Sequence, residues 1–270
     1  MAIAVISGTG LYDMAIWRDS RELSVQTPYG AAKLYAAAFQ GQELFFLPRH
    51  GLQHGVPPHL INYRANICAL AQVGVRDILA FCSVGSMQRE IPPGSLLLLR
   101  QFIDMTWGRE SSFSTIDAMG HVAMDQPYCP RLNDILLHAA ARKDIPLRDG
   151  GLYLCTQGPR FETPAEIALY ASWGANLVGM TGVPEVILAR EAGLCYAAVG
   201  VVANYAAGLA AAVDEAEVKA ATRAQQKDVE ALLLAFLEAE SIAKGRDCLC
   251  EAAKIPPVLA WQQMATSIFA

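Results

Sequence analysis

The chain has 270 residues, of which 53% are hydrophobic and 17% charged, with a net charge of −5. That supplies one large α/β core with apolar surface to spare for a subunit interface. The acidic balance excludes nucleic acid as a partner, because nothing clusters to neutralise a phosphate backbone; a single small anion needs only one or two cations and stays admissible.

Residues 2–7 read as a strand ending in the turn Ser7-Gly8-Thr9-Gly10. Residues 33–39 and 43–47 read as a hairpin around Gly41. Residues 60–73 have helical periodicity, with Ile61, Ala65, Cys68, Ala69 and Leu70 on one apolar face. A buried strand over 77–83 ends in Val84-Gly-Ser, and another over 96–99 follows the Pro92-Pro-Gly94 turn. Residues 105–129 are irregular and polar, a long surface loop of the kind that often carries function. Helices over 130–142, 164–173 and 184–192 then alternate with strands over 151–156, 177–180 and 195–203. A long amphipathic helix is expected over 213–242, and residues 246–270 form a tail. No repeat or linker divides the chain, so one α/β domain over 1–270 is expected.

Two stretches invite other readings. Residues 192–213 carry no charge and are long enough to span a bilayer. Gly193, Gly200, Asn204 and Gly208 interrupt them, and no aromatic belt or basic flank borders them. They read instead as a buried strand and an alanine- and glycine-rich loop, with no membrane partner. The seven cysteines are odd in number and scattered. With no signal peptide in view, that leads to an expectation of a reducing cytoplasm. Cys248-Leu-Cys250 is a lone CxC with no second pair nearby, so chance spacing is the reading and zinc is not expected; a redox or stabilising role is the alternative.

In α/β folds, ligands sit at the carboxyl ends of strands. Thr9, Arg49, His50, Ser83, Glu162, Thr181 and Asn204 all fall at such ends. The Ser7–Gly10 turn can cradle an oxyanion, although a tight turn with a capping hydroxyl explains it as well. It is no Walker loop, since no Gly-Lys-Ser/Thr follows. Arg49 offers a planar donor fork suited to phosphate, and His50 can add a donor. Arg-His-Gly also marks histidine phosphatases, but those carry it after the first strand and need a second active-site histidine. His50, His54 and His59 are broken up by Gly51, Gly55, Pro57 and Pro58, which argues against a metal site. Ser83 and Thr181 are singly ordinary caps; together with Thr9 and Arg49 they would surround one phosphate.

Glu162 has an ordinary alternative as a first-turn helix carboxylate, and Asn204 as a turn residue. Together they match a 6-oxopurine. The carboxylate accepts from N1–H, while the amide donates to O6 and accepts from N7–H. Adenine would set a bare N1 lone pair against the carboxylate, a mismatch able to cost specificity on the order of 10⁴. Phe161 offers a ring beside the base.

Several segments carry a resemblance over most of the chain: Ile6-Ser-Gly-Thr-Gly-Leu, Pro48-Arg-His-Gly-Leu-Gln-His, Asn62-Tyr-Arg-Ala-Asn, Val84-Gly-Ser, Gln101-Phe-Ile-Asp, Gly158-Pro-Arg-Phe-Glu-Thr, Gly179-Met-Thr-Gly-Val-Pro-Glu and Glu191-Ala-Gly-Leu-Cys-Tyr-Ala. As a set they resemble the purine nucleoside phosphorylase and methylthioadenosine phosphorylase family, in its trimeric branch. The resemblance implies a mixed sheet flanked by helices. It implies phosphate binding by Thr9, Arg49, His50 and Thr181, completed by Cys82 and Ser83. It implies ribose contact by Met180, base contact by Phe161, Glu162, Asn204 and Ala206, and a His121 that reaches a neighbour's active site in a homotrimer. The substrates would be a nucleoside and inorganic phosphate, with no cofactor and no metal.

The chain also departs from the pattern. Methylthioadenosine phosphorylases carry Asp-Tyr-Asp where this chain has Asn204-Tyr-Ala206, and Glu162 belongs to the 6-oxopurine pattern. Inosine-type enzymes use a histidine on the late helix for the 5′-hydroxyl, whereas no histidine follows His138 here. Ala212, Val213 and Val218 offer an apolar surface instead. The combination resembles enzymes that cleave 5′-methylthioinosine. General inosine/guanosine phosphorolysis, methylthioadenosine phosphorolysis and a silent nucleoside-binding protein are the alternatives. Cys82 stands where a Thr is often a phosphate ligand, and it alone leaves the silent binder open.

Overall fold

A computed structural model of the protein describes residues 2–8, 11, 14–210, 225–239, 242 and 247–259. Among these, nine strands join one sheet: β1 (Ala2–Ser7), β2 (Arg21–Thr27), β3 (Gly30–Phe39), β4 (Gln42–Pro48), β5 (Val75–Ser86), β6 (Leu96–Met105), β7 (Leu147–Thr156), β8 (Leu177–Gly179) and β9 (Cys195–Tyr205). Their order is β2-β3-β4-β1-β5-β8-β7-β6-β9, and β9 also pairs with β5. That extra pairing closes β5, β8, β7, β6 and β9 into a ring. Strands β1, β4, β5 and β9 run parallel, so their carboxyl ends emerge together. The fold is a mixed α/β domain, as expected.

Burial explains why the central strands are apolar throughout. Strand β1 is covered on both faces, and its side chains alternate between two cores. Ala4 and Ile6 join the cluster that includes helix α1 (Tyr63–Gln72) and helix α4 (Gly182–Glu191). Ile3 and Val5 join the cluster under helix α2 (Pro130–Arg142) and the helix Gln226–Leu237. Helix α1 starts where Asn62 Oδ1 accepts from the Ala65 amide at 3.0 Å, a side-chain cap on an otherwise orphaned donor.

The hairpin around Gly41 is present as β3 and β4. Gln40 and Gly41 have φ of 50° and 79°, the left-handed pair that a two-residue hairpin needs. The uncharged stretch after residue 192 is strand β9, buried along most of its length. No helix among the described residues is long and apolar enough to cross a membrane. Strand β2 was not expected: it lies at the edge of the sheet, and only Val25 in it is buried. Of the helix expected over 213–242, Gln226–Leu237 is helical. Ala212, Val213 and Val218 lie outside the described residues, as does Thr9.

The tail folds back on the domain. The Ile255 amide donates to the Glu191 carbonyl at 3.1 Å, and Cys250, Ile255 and Val258 are buried. The CxC pair therefore does not stand alone: Cys129, Cys195, Cys248 and Cys250 come together, their sulfur atoms all within 4.8 Å of one another.

Candidate active site

A cavity of about 440 Å³ opens at the shared carboxyl edge of the parallel strands. That is room for a small-molecule ligand. Arg49, His50, Ser83, Phe161, Glu162, Met180, Thr181, Asn204 and Ala206 line it, drawn from five separate stretches of sequence. Two expected residues are placed elsewhere. Cys82 is fully buried and does not line the cavity, because strand alternation turns Ser83 toward the opening and Cys82 away from it. Its thiol packs instead against Arg49 and Thr181, and burial pushes its pKa up. His121 is exposed and does not line the cavity of its own chain. Thr9 is outside the described residues, although Gly8 beside it lines the cavity. A Cβ on Gly8 would meet His50 Cδ2 at 3.0 Å, so the turn needs glycine to close against that imidazole.

The cation at this end is tied down. Arg49 Nε and Nη2 donate to the two Glu185 carboxylate oxygens at 3.0 and 2.7 Å, and Nη1 donates to the Phe81 carbonyl at 2.8 Å. The Tyr196 hydroxyl donates to the same Glu185 at 2.7 Å. The fork expected to clamp an anion is thus turned onto Glu185. One N–H on each Nη atom is left for a ligand. Sequence reasoning gave Glu185 no role, although it ends the motif Gly179-Met-Thr-Gly-Val-Pro-Glu.

His50 also differs from expectation. Its Nδ1 lies 2.7 Å from the Val56 carbonyl, which can only accept, so Nδ1 carries the proton. Burial, opposed by that bond, lowers its pKa to about 4. At neutral pH its Nε2 is therefore a lone pair, an acceptor rather than the donor expected. His54 lies beside it with the rings tilted, their centres 4.4 Å apart, and its Nδ1 is 3.2 Å from the Gly8 carbonyl. Among the described residues these histidines form no group able to hold a metal.

At the other end of the cavity, helix α3 (Pro164–Ser172) begins immediately after Glu162. Its first turn is a capping box: Thr163 Oγ1 accepts from the Glu166 amide at 3.2 Å, and Glu166 accepts from the Thr163 amide at 2.7 Å. Glu166 thus fills the helix-start role that was the ordinary alternative for Glu162. Glu162 is left facing the cavity, where Thr156 Oγ1 donates to its Oε1 at 2.6 Å. Burial raises its pKa, and the Thr156 bond works against that. Asn204 donates through Nδ2 to the Tyr205 carbonyl at 2.7 Å, which leaves its carbonyl oxygen and one N–H.

Between the two ends runs the Met180–Thr181 turn. The Tyr153 hydroxyl accepts from the Thr181 and Gly182 amides at 3.2 and 3.3 Å. Met180 packs on Gly158, whose φ of +61° favours glycine and where an added Cβ would lie 2.6 Å from the Met180 sulfur. Arg109, another residue sequence reasoning missed, comes from the expected loop. It donates to the carbonyls of Gln157 (2.8 Å), Met180 (2.9 Å) and Val183 (2.5 Å), and so binds three walls together. The loop is fastened in turn by Glu191, which accepts from the Ser112 hydroxyl and the Phe113 amide at 2.8 and 2.7 Å.

One end of the cavity offers an arginine and hydroxyls, the other a carboxylate and an amide. The first suits a tetrahedral anion and the second a planar heterocycle. Residues 2–238 match the family described as the phosphorylase superfamily. A relative from Dictyoglomus turgidum, named probable 6-oxopurine nucleoside phosphorylase, is 45% identical over 93% of this chain and 95% of its own. One from Methanothermobacter thermautotrophicus, named probable S-methyl-5′-thioinosine phosphorylase, is 44% identical over 77% of this chain and 72% of its own. Among solved structures, the methylthioadenosine phosphorylase of Schistosoma mansoni in complex with adenine superposes with a TM-score of 0.85 at 31% identity, covering 99% of this chain and 98% of that one. Likeness along nearly its whole length makes this chain a member of the phosphorylase superfamily, on its nucleoside phosphorylase branch.

Proposed function

We infer that the chain catalyses phosphorolysis of a 6-oxopurine nucleoside, with 5′-methylthioinosine preferred: phosphate and nucleoside give hypoxanthine and 5-methylthioribose 1-phosphate. The observation that carries the base assignment is Glu162, freed from helix capping by Glu166 and facing the same cavity as Asn204. The names of the relatives from Dictyoglomus turgidum and Methanothermobacter thermautotrophicus support it.

Phosphate sits between the Gly8 turn, Arg49, His50, Ser83 and Thr181. The neutral His50 accepts from the proton of hydrogen phosphate, while the two remaining Arg49 N–H groups and the two hydroxyls donate. A phosphate oxygen attacks C1′ as the C1′–N9 bond breaks, and the anion's own charge stabilises the oxocarbenium-like sugar. The bonding pair leaves with the purine. Asn204 donates to O6 as charge develops there and Glu162 holds N1–H; the proton that hydrogen phosphate sheds passes through solvent to the leaving purine, and the Asn204 carbonyl accepts from N7–H once N7 takes it up. No covalent enzyme intermediate is needed.

The 5′ preference rests on the absence of any histidine after His138. A 5′-hydroxyl without a partner forfeits roughly 1–3 kcal/mol. A second reading, general inosine and guanosine phosphorolysis, is favoured by the name of the Dictyoglomus relative, which says nothing of a methylthio group. We place His121 at a neighbour's site in a trimer. The strongly exposed Trp107, Ile116 and Met119 on the same loop offer apolar surface for a second copy.

Steady-state kinetics with saturating phosphate separate the readings. A kcat/KM for 5′-methylthioinosine at least about tenfold above inosine supports the apolar 5′ site. Equal values establish the general enzyme, and no turnover of either leaves a silent binder.

A further inference from the structure

We propose that Cys129, Cys195, Cys248 and Cys250 form a tetrathiolate site for a thiophilic divalent cation, zinc in the first instance. All seven cysteines of the chain are free thiols. These four come from three distant places: Cys129 precedes helix α2, Cys195 opens strand β9, and Cys248 and Cys250 lie in the tail. Their sulfur atoms all fall within 4.8 Å of one another, and Cys195 and Cys248 are 3.3 Å apart. A tetrahedral zinc site with Zn–S bonds of about 2.3 Å has S–S edges of about 3.8 Å, so small side-chain rotations complete it.

The donor set narrows the ion. Four sulfurs with no carboxylate or imidazole among them disfavour magnesium and calcium and select a soft metal in tetrahedral geometry. Three of the four residues are buried, and Cys248 is half-buried, which leaves a route for the ion to enter.

A second, independent feature points to charge at this place. Four thiolates around a divalent cation carry a net charge of −2, which a buried site must offset. Arg131 stands two residues after Cys129, its side chain only 8% exposed. Its Nη2 pairs with Asp77, but its Nε and Nη1 are buried without any hydrogen-bond acceptor. Metal-bound sulfur would give those two orphaned donors an acceptor, the outer-shell arrangement that holds thiolate ligands in place. Each thiol gives up its proton to solvent on binding, and no oxidant or reductant is consumed.

The site is remote from the nucleoside cavity. Cys195 begins β9 and Asn204 lies nine residues further on, roughly 30 Å away at the rise of an extended strand. Its role is therefore to staple the tail to a helix start and a strand start, with no part in phosphorolysis.

The test uses the full chain, purified without added metal or chelator. Elemental analysis should find about one zinc per chain, released when a mercurial blocks the thiols. Protein refolded with cobalt(II) should show the sulfur-to-metal charge transfer and intense visible bands of a tetrahedral tetrathiolate. Replacing Cys248 and Cys250 together by Ser should abolish the bound zinc and lower Tm, with kcat/KM within about twofold of wild type below the transition. Should that variant fail to fold, the cobalt spectrum of the wild-type chain decides alone. A chain that binds neither zinc nor cobalt overturns the proposal. So does a thiol count below seven in freshly isolated protein, which would mean that these cysteines are joined as disulfides.

Discussion

Arg49 and Glu185 are 136 residues apart in sequence, yet their side chains meet in a two-point ion pair with a 2.7 Å contact beneath the anion end of the cavity. Both side chains are almost fully buried. With Tyr196 also donating to Glu185, the pair fixes the guanidinium at the cavity wall. Removing one partner of such a pair leaves a buried charge alone, at a cost of about 3–5 kcal/mol. Glu185→Gln is expected to lower stability in urea toward that range and to raise KM for phosphate more than KM for nucleoside. Equal changes in the two KM values would mean that the pair does not orient Arg49 for the anion.

His50 makes the stability of the fold depend on pH. Its pKa is lowered to about 4, against about 6.5 in the unfolded chain. The unfolded state therefore binds the extra proton between those values. The contribution is complete above about 6.5 and is lost as pH falls toward about 4, on the order of 3 kcal/mol at most. Denaturation midpoints for wild type and His50→Asn should converge with acidification through that window. Parallel curves would show that His50 is not buried neutral.

Glu162 must be ionised to accept from N1–H, so kcat/KM should fall as pH drops through its raised pKa. Thr156 donates the bond that restrains the rise. Thr156→Val should move the acid limb of the profile for a 6-oxopurine nucleoside upward, because the bond that favours the charged form is lost. An unmoved limb would assign it to another group.

Arg109 gathers the carbonyls of Gln157, Met180 and Val183. A lysine cannot reproduce a planar fork spread over several acceptors. Arg109→Lys should reduce kcat/KM by about tenfold or more through a displaced Met180 turn. Retained kinetics would show that the turn is held by Tyr153 alone.

Asn204 both donates and accepts, whereas aspartate only accepts. Asn204→Asp should move the preference toward 6-aminopurine nucleosides, read as the ratio of kcat/KM for methylthioadenosine and methylthioinosine. An unchanged ratio would place Asn204 away from the base.

What the sequence revealed follows the range of the interactions involved. The central strands are legible because burial on both faces makes them continuous apolar runs. Strand β2 hides because its exposed edge position allows the polar run Arg-Glu-Leu-Ser-Val-Gln-Thr. The polar ends of β4, β5 and β9 mark the cavity, so Arg49, Ser83 and Asn204 could be found. Glu185 and Arg109 could not, since their partners lie 136 and up to 74 residues away and only the closed ring brings them together. The same holds for the cysteines, where the CxC pair was visible and its two further neighbours were not.

The central claim is that Glu162 and Asn204 select a 6-oxopurine. Its most direct test is kcat/KM of the wild-type enzyme, with saturating phosphate, for methylthioinosine against methylthioadenosine and for inosine against adenosine. The account predicts that the 6-oxo member of each pair is favoured by a factor on the order of 10² or more. Equal rates within the pairs, or a preference for the 6-amino members, would contradict it.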